Sequence, residues 1–448
     1  MKLRSLILIV VHVMLGYLIN TNKEISFYIT LAILVVGPVD IVISGNRNGR
    51  AGLWSAYLVG IEVLVRMTST SVFWEIGKYG VILLLITGLI ADSQLPRPNW
   101  MYVGFFFLLM PSILIVNFPS LDIGRQQLSF NLSGPLSLAV AATYFYRRPT
   151  SPDQLKGILG MMLLPLTAML SYIVLASPDL ESLRFTTQSN FAASGGFGPN
   201  QVSTMLGLGC LITGVSAFYR LQLSGSFSTD IVLFVGFTFR GLVTFSRGGL
   251  VAALLSLGVL VTFYFLFSRK GRGWLAYGLF FLLVISGASY VVWDYANEAT
   301  NKMLTYRYLG VNPVSKQETD ITSRRWDILQ SELGMFNQSP LLGVGPGMGK
   351  FYADAEIKGA NSHSEVTRLL AEHGILGLMA AIILIIVPVR WFRRPESNNV
   401  KPLFIGLFTL SVLTMAHSAV RLAMPGFIYG LALVLPYFPP SKKETGPA

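Results

Sequence analysis

The chain has 448 residues, of which 52% are apolar and only 12% are charged. Soluble domains carry about twice this share of charged residues, so the composition excludes a soluble enzyme and indicates an integral membrane protein. The net charge of +12 would suit a nucleic-acid-binding protein, but the charges cluster in short loops between apolar runs, which argues against that class. The single cysteine, Cys210, excludes a disulfide framework and a Cys/His zinc site. No metal or other cofactor is expected.

Long, nearly uncharged stretches follow one another from the N-terminus, and each approaches or reaches the roughly 17 to 25 residues that a helix needs to cross a bilayer. The first stretch follows a basic N-terminus, as in a signal peptide, but it lacks an A-x-A-like cleavage site, so a retained helix is expected. The sequence therefore predicts an all-α polytopic membrane protein with about 12 to 14 transmembrane helices. The predicted spans are residues 5–20, 26–44, 51–67, 72–91, 100–118, 128–146, 157–176, 200–219, 229–246, 249–267, 274–293, 369–389, 402–420 and 423–437.

The loops between these spans alternate in charge. With a cytoplasmic N-terminus, the loops that fall inside are rich in Lys and Arg and include "RNGR" (47–50), "RRPTSPDQLK" (147–156), "SRKGRG" (268–273) and "RWFRRPESNNVK" (390–401). The loops that fall outside are poor in bases or balanced by acids. This is the positive-inside pattern. Both termini are therefore expected in the cytoplasm, membrane lipids are the expected surroundings, and the basic composition needs no nucleic-acid partner.

Two segments that fall outside, 177–199 and 294–368, are too long to be turns. In the second, apolar residues from Trp326 to Phe336 recur at helical spacing in "SRRWDILQSELGMF", which predicts an amphipathic helix on the membrane surface or on the bundle. Pro340 is expected to end this helix. The chain thus divides into N-terminal helices (1–176), core helices (177–293), one large external loop region (294–368), and C-terminal helices with a short tail (369–448).

The stretch "TFSRGG" (244–249) lies at an external junction between two spans. The two glycines after Arg247 let the chain turn and let a ligand approach the backbone, so a functional role is favoured for Arg247. Arg240 lies seven residues earlier on the same helix face, about two turns deeper. An arginine at that depth faces a water-filled cavity or pairs with an acid, for which Glu62 and Glu75 are candidates.

Other polar residues within the apolar runs are interpreted as structural. Glu75 and Lys78 lie three residues apart in one span and can pair with each other. His12 and His417 are single histidines in apolar surroundings and are interpreted as packed helix residues.

The stretch "GVGPGMGK" (343–350) is rich in glycine but does not fit a nucleotide-binding loop. Val344 stands where that loop needs glycine, and Phe351 stands where it needs Ser or Thr. A tight external turn is expected instead, with backbone N–H groups that could face an anion.

The stretch "NSHSEVTRLLAEHG" (361–374) contains two of the four histidines. His363 lies outside, before a helix that is expected to start near Ser364. His373 lies ten residues further on, inside the membrane helix, and is interpreted as structural. A histidine titrates near neutrality, so His363 can take a proton from a hydroxyl nucleophile. The alternative is a residue at a helix N-terminus that makes local hydrogen bonds.

External arginines are candidates to join His363 in one site. Arg247, Arg324 and Arg325 could surround a phosphate-bearing leaving group with it, because the planar guanidinium binds phosphate oxygens through two hydrogen bonds.

Five motifs stand in a definite order in the second half of the chain. They are "GGFGPNQVS" (195–203), "TFSRGG" (244–249), "DITSRRWDIL" (320–329), "SPLLGVGPG" (339–347) and "NSHSEVTRLLAEHGILGL" (361–378). Together they resemble the O-antigen ligase superfamily, which also holds O-antigen polymerases and some protein O-oligosaccharyltransferases. The resemblance covers roughly residues 180–390, and the N-terminal spans match only in being apolar.

The resemblance implies an inner-membrane glycosyltransferase whose active site faces the periplasm. Such enzymes transfer a glycan from undecaprenyl diphosphate to an acceptor hydroxyl, with inversion and without a metal. By the same resemblance, Arg247 matches the arginine after the serine of S-R-G, Arg325 matches the arginine of the S-G-R segment, and His363 matches the histidine of H-N-x-x-L. The arginines would hold the diphosphate, and the histidine would activate or orient the acceptor hydroxyl.

The chain departs from the family pattern at two of these positions. The family's S-G-R reads Ser323-Arg324-Arg325 here, so either arginine could be the functional one. The family's H-N reads His363-Ser364. Glu372 matches an acid that often precedes the family's glycine, for which a structural role is expected.

Three activities remain open at this point. A ligase would use the lipid A core oligosaccharide as acceptor, whereas an O-antigen or exopolysaccharide polymerase would use a second lipid-linked repeat unit. A lipid-linked glycan flippase would have a similar number of spans and basic inner loops. It would typically show related halves and short external loops, with cations along a central cavity. The large external region with its motifs favours a transferase.

Overall fold

The computed structural model describes residues 2–71, 73–92, 99–267, 272–315, 317, 324–353, 357–393 and 400–438. Helices dominate these ranges: α1 (Lys2–Thr21), α2 (Glu24–Ser44), α3 (Arg50–Met67), α4 (Ile76–Ala91), α5 (Trp100–Phe107), α6 (Leu121–Phe145), α7 (Pro152–Ala176), α8 (Pro199–Tyr219), α9 (Phe227–Val243), α10 (Arg247–Phe267), α11 (Arg272–Ala299), α12 (Met303–Leu309), α13 (Arg325–Gln338), α14 (Gly349–Tyr352), α15 (Glu365–Phe392), α16 (Lys401–Ser418) and α17 (Ala423–Leu431). Two short strands, β1 (Pro149–Thr150) and β2 (Leu435–Pro436), pair in parallel.

Seven of the described helices are long and apolar enough to cross a membrane: all or most of α1, α2, α7, α8, α10, α11 and α15. Helix α8 lies at the centre, since nearly all of its residues are buried. Helices α1, α2 and α11 expose most of their apolar surface, as helices that face lipid do. The predicted all-α polytopic membrane fold is confirmed.

Several of the predicted spans contain shorter helices than expected, among them the span 72–91, where α4 has 16 residues. In the stretch 100–118, α5 ends at Phe107 and a 3-10 helix follows at Pro111–Ile115, because Pro111 has no N–H to continue an α-helix. In the stretch 423–437, α17 has only nine residues, and at 1.5 Å per residue it is too short to cross a bilayer. All nine are buried, so the apolar composition of α17 reflects burial inside the protein rather than contact with lipid.

The segment between α12 and α15 contains the predicted amphipathic helix, α13, which ends before Pro340 as expected. The helix packs against α15 through Ile328, Glu332 and Met335. The predicted apolar stripe lies on the other side, where Trp326 is 56% exposed. Helix α13 therefore rests on the bundle with a mixed polar face and turns its aromatic side away from the protein.

Helix packing brings several helix ends together at one end of the molecule. Helix α10 packs against both α8 and α16, and α15 packs against α13 and α16. As a result, the N-terminal ends of α10, α13 and α15 lie close to the C-terminal end of α16. Each of these ends carries a polar residue named below.

Candidate functional site

Arg247 is the first residue of α10 and follows a tight turn from α9. Phe245 in that turn has a φ of 58°, which reverses the chain within three residues. The Arg247 guanidinium donates a hydrogen bond to the carbonyl oxygen of Arg307 at 2.9 Å. The glycines that follow allow close helix packing, because a Cβ at Gly249 would lie 2.2 Å from the carbonyl oxygen of Ser203 on α8. The "TFSRGG" motif thus fixes where Arg247 emerges.

Arg325 begins α13 and points into the same region. Burial, followed by the nearby charge of Arg247, lowers the pKa of Arg325 below its usual value. No described carboxylate forms an ion pair with Arg325. Its neighbour Arg324 is exposed, with a φ of 62° at the N-cap of α13. Of the two arginines that the sequence left open, Arg325 is therefore the one that faces the other cationic residues.

His363 lies just before α15, half-buried, and its carbonyl oxygen accepts a hydrogen bond from the Ala419 N–H at 3.0 Å. The ring Nδ1 is buried and has no hydrogen-bond partner among the described residues. Burial, and then the charges of Arg421 and Arg325, lower the pKa of His363 to about 3. The low pKa keeps this histidine neutral near pH 7.

Arg421 also belongs to this cluster, and the sequence reasoning missed it. It lies in the loop between α16 and α17 and donates hydrogen bonds to the carbonyl oxygens of Asn361, at 3.0 Å, and Ser362. Burial, and then the charge of Arg325, lower its pKa to about 10. A signal was present in the sequence: no other Lys or Arg occurs between residues 402 and 437, and a charge in so apolar a stretch is often functional.

His417 packs near the end of α16, in agreement with its interpretation as a packed residue. Its ring lies against Gly248 of α10, and both ring nitrogens are buried without a hydrogen-bond partner among the described residues. The ring lies within electrostatic range of Arg325 and of His363. We call Arg247, Arg325, His363, His417 and Arg421 the cationic cluster.

Arg240 does not join the cationic cluster in the described structure. It is buried in α9 and donates a hydrogen bond to the carbonyl oxygen of Ile173 on α7 at 3.1 Å. The proposed acidic partners, Glu62 and Glu75, form their ion pairs with other bases, so that pairing hypothesis is wrong. A backbone carbonyl takes the place of the expected acid.

A buried charge network underlies the Arg421 loop. Arg66 pairs with Glu62 at 2.7 Å and lies 3.6 Å from Glu75, which also pairs with Lys78 at 2.5 Å. The predicted Glu75–Lys78 pair is thus confirmed, although within a larger group. Arg66 donates a hydrogen bond to the carbonyl oxygen of Arg421 at 3.4 Å, and the Glu62 carboxylate accepts one from the Ala423 N–H at 2.9 Å. These contacts hold the loop that presents Arg421.

A second charge group stabilises the start of α15. Arg368 pairs with Glu365 at 2.5 Å and with Glu372 at 2.9 Å, and all three side chains are buried. Gly374 interrupts the helix with a φ of 59° and a ψ of −138°, which frees carbonyl groups on its N-terminal side. The glycine-rich turn fills this gap, since Val344 N–H donates to the Ala371 carbonyl at 2.9 Å. That amide therefore supports α15 and does not face a free anion.

Two neighbouring cavities share part of their lining, and Arg421 of the cationic cluster lines the inner one. The inner one, which we call the polar cavity, has a volume of about 40 Å³, room for about three water-sized groups. Its lining includes Glu332, Asn361, Ser362 and Arg421. The outer groove has a volume of about 520 Å³, within the range of small-molecule sites. Both are bordered by Gln127, Phe130, Lys350 and Asn361.

Residues 232–382 match the O-antigen ligase family. This range contains Arg247, Arg325 and His363, whereas His417 and Arg421 follow it in the chain. No curated protein matches the chain significantly. The match over residues 232–382 confirms the resemblance to the O-antigen ligase superfamily.

Proposed function

On the premise that this chain carries the O-antigen ligase domain, we propose that it is a metal-independent, inverting glycosyltransferase. It transfers a glycan from an undecaprenyl diphosphate carrier to an acceptor hydroxyl at the periplasmic face of the inner membrane. The acceptor of the favoured activity is the lipid A core. A second lipid-linked repeat unit, as used by an O-antigen or exopolysaccharide polymerase, is the alternative acceptor.

The crowding of positive charge around Arg325 is the observation that carries this proposal. Burial, and then the nearby charge of Arg247, lower the pKa of Arg325, and burial, and then the charge of Arg325, lower the pKa of Arg421. Like charges held together in a buried region are costly unless an anion joins them. A diphosphate supplies that anion, and guanidinium groups bind its oxygens through paired hydrogen bonds. The cluster is thus suited to a diphosphate leaving group.

His363 completes the arrangement as a neutral hydrogen-bonding group next to the arginines. Since burial, and then the surrounding cations, lower its pKa to about 3, the neutral ring would accept a hydrogen bond from an acceptor hydroxyl through Nδ1. Arg247 and Arg325 would stabilise the charge that develops on the diphosphate as the glycosidic bond breaks. His363 would orient the hydroxyl that attacks from the opposite face, which gives inversion. Arg324 and Arg240 would have supporting roles at most.

The proposal is tested with purified protein in lipid nanodiscs and an undecaprenyl-diphosphate-linked glycan, with and without lipid A core. One capped conjugate that forms only with lipid A core supports a ligase, and a ladder without added acceptor supports a polymerase. Scrambling of the donor across liposomes without any product would identify a flippase and overturn the proposal. Transfer should persist in excess EDTA, since a bound metal has no part in the proposed chemistry.

Variants connect the activity with the cluster. His363→Ala and Arg247→Ala should abolish transfer while the protein remains folded and inserted. Full activity in both variants would contradict the proposed mechanism.

A further inference from the structure

Glu332 is a buried carboxylate that the proposed chemistry has not used. It lies on the face of α13 that packs against α15, and its side chain is almost fully inaccessible. Its Oε2 accepts a hydrogen bond from the Thr367 hydroxyl at 2.5 Å, and the Ser362 hydroxyl lies beside it. The other buried carboxylates nearby, Glu365 and Glu372, are paired with Arg368. Glu332 instead has hydroxyl partners in the described structure.

Glu332 shares the polar cavity with Arg421, a member of the cationic cluster. The carboxylate lines the polar cavity together with Arg421 and Ser362, the residue directly before His363. The cavity holds about three water-sized groups, which suits a hydroxyl and its attached carbon better than a whole sugar. The outer groove is large enough for sugar rings, and Trp74 and Gln126 on its wall offer an aromatic face and an amide to a sugar.

We propose that an acceptor sugar lies in the outer groove, projects its reacting hydroxyl into the polar cavity, and gives the proton of that hydroxyl to the Glu332 carboxylate. This inference rests on the proposed transferase function and names the base within it. The acceptor O–H bond breaks as its oxygen forms a bond to the anomeric carbon of the donor glycan. The bond from that carbon to the carrier phosphate breaks, and its electron pair leaves with the diphosphate. The proton passes to Glu332 and later to water.

Chemical reasoning favours Glu332 over His363 for the proton itself. Burial, and then the nearby cations, make His363 a weak base, whereas burial raises the pKa of Glu332 above its usual value, towards the range where a general base is most effective. His363 then orients the hydroxyl and Glu332 removes its proton. The charged and titratable groups around Glu332 come from three neighbouring segments and are Lys350, Glu365, Arg368, Glu372 and Arg421.

The test compares Glu332→Gln with the wild type in the transfer assay at saturating donor and acceptor. Glutamine keeps the size of the side chain and an oxygen to accept from Thr367, but it cannot take a proton. Turnover should fall by about 100-fold or more, the usual contribution of a general base, while donor binding is unchanged. Asp327→Asn is the matched control, because it neutralises an exposed carboxylate on the same helix, and it should retain wild-type turnover.

Two further measurements test the role of Glu332 if the Glu332→Gln variant does not fold. Glu332→Asp should retain a reduced turnover with an unchanged donor KM. The wild-type rate should fall as the pH is lowered through a pKa above the usual value of 4.5 for glutamate. A wild-type rate that is constant down to pH 4, or a folded Glu332→Gln variant with full turnover, would overturn the inference. Transfer by neither wild type nor variants would instead overturn the proposed function.

Discussion

The imidazole ring of His417 lies directly on the α-carbon of Gly248, so that a Cβ at position 248 would lie 2.6 Å from the ring Nδ1. This contact joins α10 to α16, and it places the ring between the residue after Arg247 and His363. Gly248, the first glycine of the "TFSRGG" motif, is therefore required for the close approach of His417, 169 positions later in the chain.

Gly248→Ala is expected to displace the His417 ring and to disturb the cationic cluster. The added methyl group overpacks a buried contact, which should lower the free energy of unfolding by about 1–3 kcal/mol, and transfer should fall because the ring next to His363 moves. Gly258→Ala on the same helix is the control, because a Cβ there meets no atom within 4 Å. Thermal unfolding and initial rates measure both effects. Equal unfolding temperatures and equal rates in the two variants would show that the Gly248–His417 contact affects neither stability nor transfer.

Arg325→Ala and Arg324→Ala separate two neighbouring arginines that the sequence could not distinguish. Arg325 is largely buried beside Arg247, whereas Arg324 is exposed. The Arg325→Ala variant loses charged hydrogen bonds to a phosphate, which contribute about 1.5–3 kcal/mol. Its affinity for the lipid-linked glycan should therefore fall at least about tenfold. Arg324→Ala should change this affinity less than about threefold, because substitutions of exposed residues usually have small effects. Titration with the lipid-linked donor measures both affinities. Stronger loss in the Arg324 variant would contradict the orientation of α13.

The depressed pKa of His363 predicts a stability loss in acid. The folded protein keeps this histidine neutral down to about pH 3, whereas the unfolded chain protonates it below the usual 6.5. Between these values the unfolded state binds more protons, so the free energy of unfolding decreases as the pH falls from 7 towards 4. In His363→Asn the decrease should be smaller. Unfolding midpoints at pH 7 and pH 5 in the same detergent measure the difference, and an identical pH dependence would contradict the burial of the ring among cations.

Arg66→Met is expected to be strongly destabilising. The side chain of Arg66 is fully inaccessible, and its loss leaves Glu62 with a buried charge and without its cationic partner at 2.7 Å. Removing one member of a buried ion pair costs about 3–5 kcal/mol. Arg125→Met is the control, because the Arg125–Asp122 pair is exposed and separated by 3.8 Å, and exposed pairs contribute about 0–1 kcal/mol. Equilibrium unfolding in mixed micelles compares the two variants.

Local pattern was sufficient to predict several parts of the structure. The α13 helix was predicted from apolar spacing, and the Glu75–Lys78 pair from a separation of three residues. Both depend on contacts within one helix, where sequence spacing determines distance. The apolar pattern did not predict the structure correctly where a run of apolar residues could either be buried in protein or face lipid. The short helix α17 was predicted as a span because burial in protein and exposure to lipid favour the same residues.

By itself, the sequence determined the all-α membrane fold, through its apolar runs, and it pointed to Arg247, to His363 and to one of Arg324 and Arg325 as motif residues, through their order along the chain. The tertiary structure decided that Arg325 rather than Arg324 faces the cluster, and it added Arg421 to the cluster. The physical reason is distance along the chain. Arg66 meets the carbonyl of a residue 355 positions away, and only the packing of helices can bring such groups within hydrogen-bonding distance.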